Sequence, residues 1–303
     1  MSDATRQPTL VLDSDAYQST SEGATAGPPT PERQRLAILL FALTGLSTFV
    51  AGGLGAPNRA QAMADGAMYA GAIMTILLTH ELGHYLQARR YGVRASLPLF
   101  LPFLPPIGTL GALIIMREQI PSRRALYDIG ISGPLAGLVP ALVFTVLGIQ
   151  QSVVAPIREG VGLLLGEPLL FQWLTAAIHG PIPEGSTLWI GPFGMAGWVG
   201  IFVTALNLVP IGQLDGGHVL YALMLRRAHW VASCLLLLAI GAVLIFGVWN
   251  WILMLALLIF FGPRHPPTRN DLLPLGRFRI VLGWLTLGFL IIGFTPVPLA
   301  LAP

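Results

Sequence analysis

Long apolar segments alternate with short arginine-bearing segments along most of the chain. A helix needs about 20 apolar residues to cross a hydrocarbon core of roughly 30 Å. The candidate segments are Leu36–Leu54, Ala67–Leu86, Leu126–Ile149, Met195–Leu225, Val231–Val248, Trp249–Phe261 and Ile280–Leu299. The fourth is interrupted near Pro210, and Trp249–Phe261 is short for a crossing. The pattern therefore predicts an α-helical polytopic membrane protein with six or seven transmembrane helices.

Two regions between these segments do not read as membrane helices. Residues 95–118 are apolar but contain four prolines, and proline interrupts helical hydrogen bonding. The stretch from Gly108 to Met116 has the composition of a strand, and its backbone must be paired or buried because unpaired backbone in lipid is costly. Residues 150–194 are expected to form an external loop with an amphipathic piece at Leu163–Ile178.

The composition supports the membrane assignment and bounds the domains. Charged residues make up 10% of the chain, whereas about 25% is usual for a soluble domain. Residues 1–32 are polar and rich in Ser, Thr and Pro, which predicts a disordered cytoplasmic tail. The tail lacks the features of a signal peptide, and its aspartates argue against a transit peptide. Residues 33–303 are expected to form one transmembrane domain.

The arginines predict the orientation of the helices. Cytoplasmic loops are enriched in Lys and Arg. Four arginine groups lie in every second loop between the predicted spans, so all four can be cytoplasmic. These groups are Arg33 and Arg35; Arg89, Arg90, Arg94, Arg117, Arg123 and Arg124; Arg226 and Arg227; and Arg264, Arg269, Arg277 and Arg279. The N-terminus is therefore expected in the cytoplasm. Since the arginines follow helix ends, the basic pI of 9.4 reflects topology, and we predict no nucleic-acid partner.

An HExxH motif lies inside the second apolar segment, at His80-Glu81-Leu82-Gly83-His84. Residues four apart share a helix face, so His80 and His84 can bind one zinc ion, with Glu81 placed as a general base. Ionisable residues inside a membrane are costly and mark functional sites. The motif in this setting indicates hydrolysis within a bilayer, close to the cytoplasmic end of its helix.

A catalytic zinc usually has three protein ligands, so a third ligand is expected elsewhere. The chain has a single cysteine, and the downstream glutamates lie in loops or broken segments. Asp215 is the strongest candidate, because it lies in the interrupted fourth segment, after Pro210 and among flexible glycines. His218 could support Asp215 or simply bond to backbone, and His265 is expected to serve a turn. Asp128 is expected to pair with Arg123 or Arg124, or to cap a helix.

The HExxH motif and the later pattern from Asn207 to Gly216 (NLVPIGQLDG) together resemble the site-2 protease family of intramembrane zinc metalloproteases. The resemblance covers most of residues 66–265, including Gly133-Pro134 in ISGPLAG, and places the core of the domain at residues 66–225. It implies Zn2+ as cofactor, with His80, His84 and Asp215 as ligands and Glu81 as general base.

The resemblance also implies how substrate binds. Asn207 would orient the substrate or stabilise the oxyanion, although an interhelical hydrogen bond is an equal alternative. Residues 108–118 resemble a membrane-embedded β-hairpin, and Gly108, Thr109, Leu110 and Gly111 would accept the substrate as an added strand. The external loop is too short for a PDZ domain, so the chain resembles the compact members of the family.

The partners implied are the lipid bilayer and transmembrane substrates, which another protease could have cut first. The expected location is a prokaryotic cell (inner) membrane. Two other functions stay open from the sequence. A non-catalytic zinc-binding scaffold is disfavoured by the intact Glu81. A metal transporter would carry acidic or histidine residues along several spans, and the chain shows no internal repeat of the kind many transporters have.

Overall fold

Helices dominate the architecture of the protein, as shown by a computed structural model that describes residues 31–116, 118–157 and 163–301. The helices are α1 (Pro31–Gly53), α2 (Arg59–Arg90), α3 (Arg123–Gln150), α4 (Leu169–His179), α5 (Pro192–Asn207), α6 (Asp215–Met224), α7 (Arg227–Phe246), α8 (Ile252–Phe261) and α9 (Arg277–Gly293). The strands are β1 (Leu99–Pro102), β2 (Thr109–Leu113), β3 (Val153–Pro156), β4 (Leu163–Leu165), β5 (Ser186–Trp189) and β6 (Leu299–Leu301). Except for the last two residues, which begin α1, the predicted tail at residues 1–32 lies outside the described part.

Four of the described helices are long and apolar enough to cross a membrane, judged by length and composition. They are α1, α2, α3 and α7. Helices α2 and α3 contain the second and third segments predicted from the sequence, and α1 and α7 contain the first and fifth except for their last one or two residues. The chain is therefore a mostly helical membrane protein. At 32 residues and about 1.5 Å per residue, α2 extends beyond the apolar run at both ends, so the HExxH motif lies within a continuous helix.

The fourth predicted segment is two helices rather than one. Helix α5 ends at Asn207 and α6 begins at Asp215, and the seven residues between them are irregular. Pro210 lies in this break, where it removes a backbone donor, and Gly212 has a φ of +59° that favours glycine. The interruption expected near Pro210 is thus confirmed.

Two sequence-based boundaries are wrong, and one pairing explains both. The last predicted span, Ile280–Leu299, ends early because α9 stops at Gly293, ahead of Pro296 and Pro298. Leu299–Leu301 instead forms β6, which pairs antiparallel with β4 at Leu163–Leu165. The amphipathic piece expected at Leu163–Ile178 is therefore a strand at Leu163–Leu165 and a helix only from Leu169, after Pro168.

The strand predicted between Gly108 and Met116 is confirmed. Strand β2 pairs antiparallel with β1, from Leu99 opposite Leu113 to Pro102 opposite Thr109. Strand β1 packs on α1, whereas β2 contacts α2, the helix that carries HExxH. The remaining short pair, β3 with β5, lies in the loop between α3 and α5. The main apolar core joins α2 and α5 around the fully buried Trp198.

Candidate metal centre

The three polar residues of HExxH lie together on a buried part of α2. The side chains of His80, Glu81 and His84 are all buried. Among the described residues, no arginine forms a salt bridge with the Glu81 carboxyl group. Their spacing places the two histidines one above the other on the same helix face. Local helix geometry alone therefore creates a two-histidine site with an adjacent carboxyl group.

Asp215 reaches this site from 135 residues away. It is the first residue of α6, so the break between α5 and α6 brings its carboxyl group to face α2. Its Oδ2 lies 3.1 Å from His80 Nε2, and its Oδ1 lies 3.2 Å from His84 Nε2. The three residues form the only group of metal-ligand type with three or more members found among the described residues.

The hydrogen bonding of His84 shows that this donor set suits a cation. His84 Nδ1 lies 2.7 Å from the carbonyl oxygen of Ile129, which can only accept, so Nδ1 carries the proton. In the neutral form that a metal ligand requires, His84 presents an unprotonated Nε2, which faces His80 Nε2 at 3.2 Å and the Asp215 carboxylate. Ligand atoms at about 2.0–2.1 Å from a tetrahedral zinc are roughly 3.3 Å apart. Three electron-rich atoms at this spacing fit a zinc ion.

Two glycines in α3 make room for the histidines. A Cβ atom on Gly133 would overlap the imidazole of His84, and one on Gly137 would lie 2.8 Å from His80 Cβ. Across the same contact, a Cβ on Gly83 of α2 would lie 2.5 Å from the Ser132 carbonyl oxygen. The sequence pointed to Gly133 only through the ISGPLAG resemblance, and only the packing shows its role. No sequence signal could identify the Ile129 carbonyl, since every residue has one.

Asp128 forms an ion pair, but the sequence predicted the wrong arginine as its partner. Arg279 of α9 donates from Nε and Nη2 to the two Asp128 oxygens at 2.7 and 2.9 Å, and Tyr91 at the end of α2 donates to Oδ2 at 2.5 Å. Arg123 instead donates to the carbonyls of Ala222 and Leu223, at the end of α6. Asp128 therefore joins α2, α3 and α9 beside Ile129.

The residues predicted to bind substrate lie at the β-hairpin. The carbonyl of Gly108 accepts a hydrogen bond from the Ser47 hydroxyl of α1 at 2.7 Å. Thr109 and Gly111 are buried, while Leu110 is 48% exposed. The β1–β2 sheet has two strands, so among the described residues no further strand occupies the outer edge of β2.

Asn207 is the last residue of α5, directly before the break that leads to Asp215. It is half-buried. The hydrogen bonds of the described residues do not join its amide to the two histidines or to Asp215. The structure thus brings His80, Glu81, His84 and Asp215 together and places Asn207 at the adjacent helix end.

Comparisons with known proteins agree with the motifs. The sequence model described as peptidase family M50 matches residues 68–248, which is more than half of the chain. A probable zinc metalloprotease EGY2, chloroplastic, from Oryza sativa subsp. indica is 31% identical over 220 residues, covering 69% of this chain and 38% of that protein. From Arabidopsis thaliana, the proteins named EGY2 and EGY1 are 26% and 27% identical, covering 76% and 74% of this chain.

These relatives are longer proteins. The chain spans about two fifths of the length of the curated relatives it matches, from 38% to 42% for these three. No solved structure gives a significant match. The family match nevertheless contains both histidines of HExxH, Gly133 and Asp215. The chain belongs to peptidase family M50, the site-2 protease family that its two motifs resemble.

Proposed function

We propose that the protein is an intramembrane zinc metalloprotease that hydrolyses peptide bonds in or near the transmembrane segments of other membrane proteins. The observation that carries this proposal is the convergence of His80, His84 and Asp215 beside Glu81, within apolar helices. The names of the chloroplast relatives, which are probable zinc metalloproteases, support the same metal and the same class of reaction.

Each polar residue of the centre has a distinct task in this proposal. His80, His84 and Asp215 would hold the zinc ion, which when bound supplies a Lewis acid that activates water and polarises a carbonyl group. Glu81 accepts the proton that a water molecule loses as its oxygen adds to the scissile carbonyl carbon. The same carboxyl group then delivers that proton to the amide nitrogen as the C–N bond breaks. The Ile129 carbonyl keeps the His84 ring oriented throughout.

Strand β2 is the proposed docking edge for the substrate. A helical peptide bond is shielded, so the substrate must become extended before water can attack it. An extended segment can add to an exposed strand edge through main-chain hydrogen bonds. The open outer edge of Thr109–Leu113 and its contact with α2 support this role for Gly108, Thr109, Leu110 and Gly111. The position of Asn207 at the end of α5 supports a role in orienting the scissile carbonyl.

We further propose seven membrane crossings, with the N-terminus in the cytoplasm. The pairing of β4 with β6 supports an odd number, since paired strands would lie on one side of the membrane and β4 belongs to the loop after α3. Helices α5 and α6 together would make the fourth crossing, and residues 249–261 the sixth. His84 is six residues from the end of α2 at Arg90, or about 9 Å along the axis. The centre would then lie toward the arginine-rich cytoplasmic side.

The proposed location is the inner membrane of a prokaryotic cell. The four apolar helices support a membrane location, whereas the named relatives are chloroplast proteins. Fractionation of the native cell, with an antibody against the chain, tests this location directly. Recovery in the soluble fraction, or in an outer membrane, would contradict it.

Replacement of Glu81 by Gln tests the reaction itself. The variant should release no fragments from membrane-protein substrates while it still binds zinc, because the three ligands remain. Fragments are measured by membrane proteomics of cells that express either form, with Glu184→Gln as a control at an exposed external position. Cleavage that persists in Glu81→Gln would refute the assignment of the base. Zinc flux into proteoliposomes that survives the loss of cleavage would instead favour a transporter.

A further inference from the structure

A pair of hydrogen-bonded histidines lies next to the metal centre but outside it. His218 is three residues after Asp215 on α6, and His265 lies in the segment between α8 and α9. His218 Nδ1 is 2.7 Å from His265 Nε2, and His265 is 6% exposed. Two side chains 47 residues apart therefore join α6 to the segment at residues 262–276, which we call the α8–α9 loop.

The protonation of this pair follows from its outer partner. His265 Nδ1 lies 2.6 Å from the carbonyl oxygen of Pro266, which can only accept a hydrogen bond, so Nδ1 carries a proton. Burial lowers the pKa of His265 to about 4, which keeps its ring neutral near pH 7. His265 Nε2 then has no proton and accepts one hydrogen bond, from Nδ1–H of His218. The carbonyl of Pro266 thus fixes which nitrogen of His218 is the donor.

His265 is itself held firmly. The Tyr221 ring stacks on it with centroids 4.6 Å apart, and Nε2 of His229 donates to its backbone carbonyl at 3.1 Å. The Tyr221 hydroxyl also donates to Asp271 at 2.8 Å, farther along the α8–α9 loop. Backbone bonds join this loop to the residues around the start of α3, from Arg269 to Ile120 and from Arg123 to Asn270. The acceptor that His218 meets is therefore anchored to α3, α6 and α7.

Helix α6 is positioned in part by the close packing of Gly216 and Gly217, in its first turn, on the backbone of residues 208–212, and the bond at His218 adds to this. It has ten residues, and no side chain caps its N-terminus. Asp215 stands at that end, so a rotation of α6 about its axis would turn the carboxylate away from α2. Residues three apart are neighbours on a helix surface, so a bond at His218 restrains this rotation.

The same part of α3 contacts both ligand-bearing helices. A Cβ on Gly130 would lie 2.8 Å from His218 Cβ, so His218 packs closely on α3 at this residue. The neighbouring Ile129 supplies the carbonyl that orients His84 on α2. Two consecutive residues of α3 therefore set the positions of His84 on one side and of His218 on the other.

We propose that His218 and His265 are positioning residues, whose hydrogen bond holds α6 in the rotation that directs Asp215 at His80 and His84. This inference rests on the proposed function of those three residues as the zinc ligands. The hydrogen bonds of the described residues do not join the pair to His80, His84 or Asp215. Removal of the pair should weaken zinc binding by changing where Asp215 points.

Four variants of the full chain, purified in detergent, test the proposal through zinc affinity. His218→Leu and His265→Leu remove the hydrogen bond, and residues that orient metal ligands typically contribute 10–100-fold to metal affinity. His218→Asn keeps an N–H donor at the position of Nδ1, and His265→Gln keeps an acceptor close to the position of Nε2. We expect both leucine variants to bind zinc 10–100-fold more weakly, measured by competition with a chelator. The Asn and Gln variants should recover most of the loss.

Two further measurements separate positioning from stability. The visible absorption of Co2+ in the centre reports ligand geometry, and it should change in His218→Leu but not in His218→Asn. Trp198→Phe on α5 is the control for a loss of stability alone, because it removes the Nε1 bond to the Gly166 carbonyl at 2.7 Å and leaves the His218–His265 pair intact. It should lower thermal stability while zinc affinity stays at the wild-type value.

The results that would overturn the proposal are specific. Wild-type zinc affinity and an unchanged Co2+ spectrum in His218→Leu would show that the bond positions nothing. If His218→Leu fails to fold, an Asn variant with zinc affinity reduced 10-fold or more would equally refute the role of the Nδ1 donor. Failure of the proposed function looks different, since His80→Ala would then keep its zinc, or wild-type protein with bound zinc would cut no substrate.

Discussion

The packing of α3 on His84 leads to a prediction at Gly133, a residue that binds nothing itself. Replacement by alanine would place a methyl group on the imidazole of His84. Non-bonded carbon atoms pack at about 3.5–4.0 Å, so the ring would have to move by more than about 1 Å. That movement would break the 2.7 Å bond to Ile129 and separate His84 Nε2 from Asp215 and His80.

The expected cost is a loss of zinc affinity. A misplaced ligand typically lowers metal affinity 10–100-fold, or about 1.4–2.8 kcal/mol at 1.4 kcal/mol per factor of ten. The overpacked contact should also lower stability by about 1–3 kcal/mol. Both are measured on the purified chain, by chelator competition and by thermal unfolding.

Gly71→Ala on α2 is the matched control, because a Cβ there meets no atom within 4 Å. It should leave zinc binding unchanged and stabilise the helix by roughly 0.5–1 kcal/mol. A Gly133→Ala protein that binds zinc within threefold of wild type would refute the packing argument.

Two further predictions concern the hairpin and the α8–α9 loop. Gly111 has a φ of +104°, and an added Cβ would have space, since it would lie 3.9 Å from Val203 Cγ1. Gly111→Ala should therefore cost about 1–2 kcal/mol of backbone strain. It should reduce cleavage while zinc content stays constant. If the variant lost zinc as well as cleavage, the substitution would be shown to disturb the metal centre and not only the binding of substrate. Because the pKa of His265 is about 4 in the folded protein and about 6.5 when unfolded, the unfolded chain binds more protons between these values. Stability should therefore fall as pH drops through this range, by about 1.6 kcal/mol between pH 6.5 and pH 5. The titratable side chains around His265 are those of His218, Tyr221, His229 and Asp271. Thermal unfolding at several pH values should show a smaller decrease for His265→Gln, and an equal decrease would assign the effect to other groups.

Features that depend on the local pattern of residue types could be predicted from the sequence. The apolar segments predicted α1, α2, α3 and α7, because a membrane helix needs a long uninterrupted apolar run. The spacing of His80 and His84 predicted a shared helix face, because α-helix geometry is the same in every protein. Prolines and glycines marked the break before Asp215 through their backbone restrictions. The resemblance to a known family then indicated that this break carries the third zinc ligand.

Long-range partners could not be predicted, because they depend on how the helices pack. Asp128 has two arginines four and five residues before it, yet it pairs with Arg279, 151 residues away. The sequence predicted a turn role for His265, and only the fold shows that it bonds to His218. Strand β6 was read as the end of a helix because its partner at Leu163–Leu165 is remote in sequence.

The sequence by itself determined the membrane class, the helix that carries the histidines and the identity of the third ligand candidate, since each depends on residue type and local spacing. Only the tertiary structure decided how Asp215 meets the histidines at 3.1 and 3.2 Å, which carbonyl orients His84, and which glycines leave room for the rings. These features arise from contacts between helices, and a contact between distant residues has no local signature in the chain.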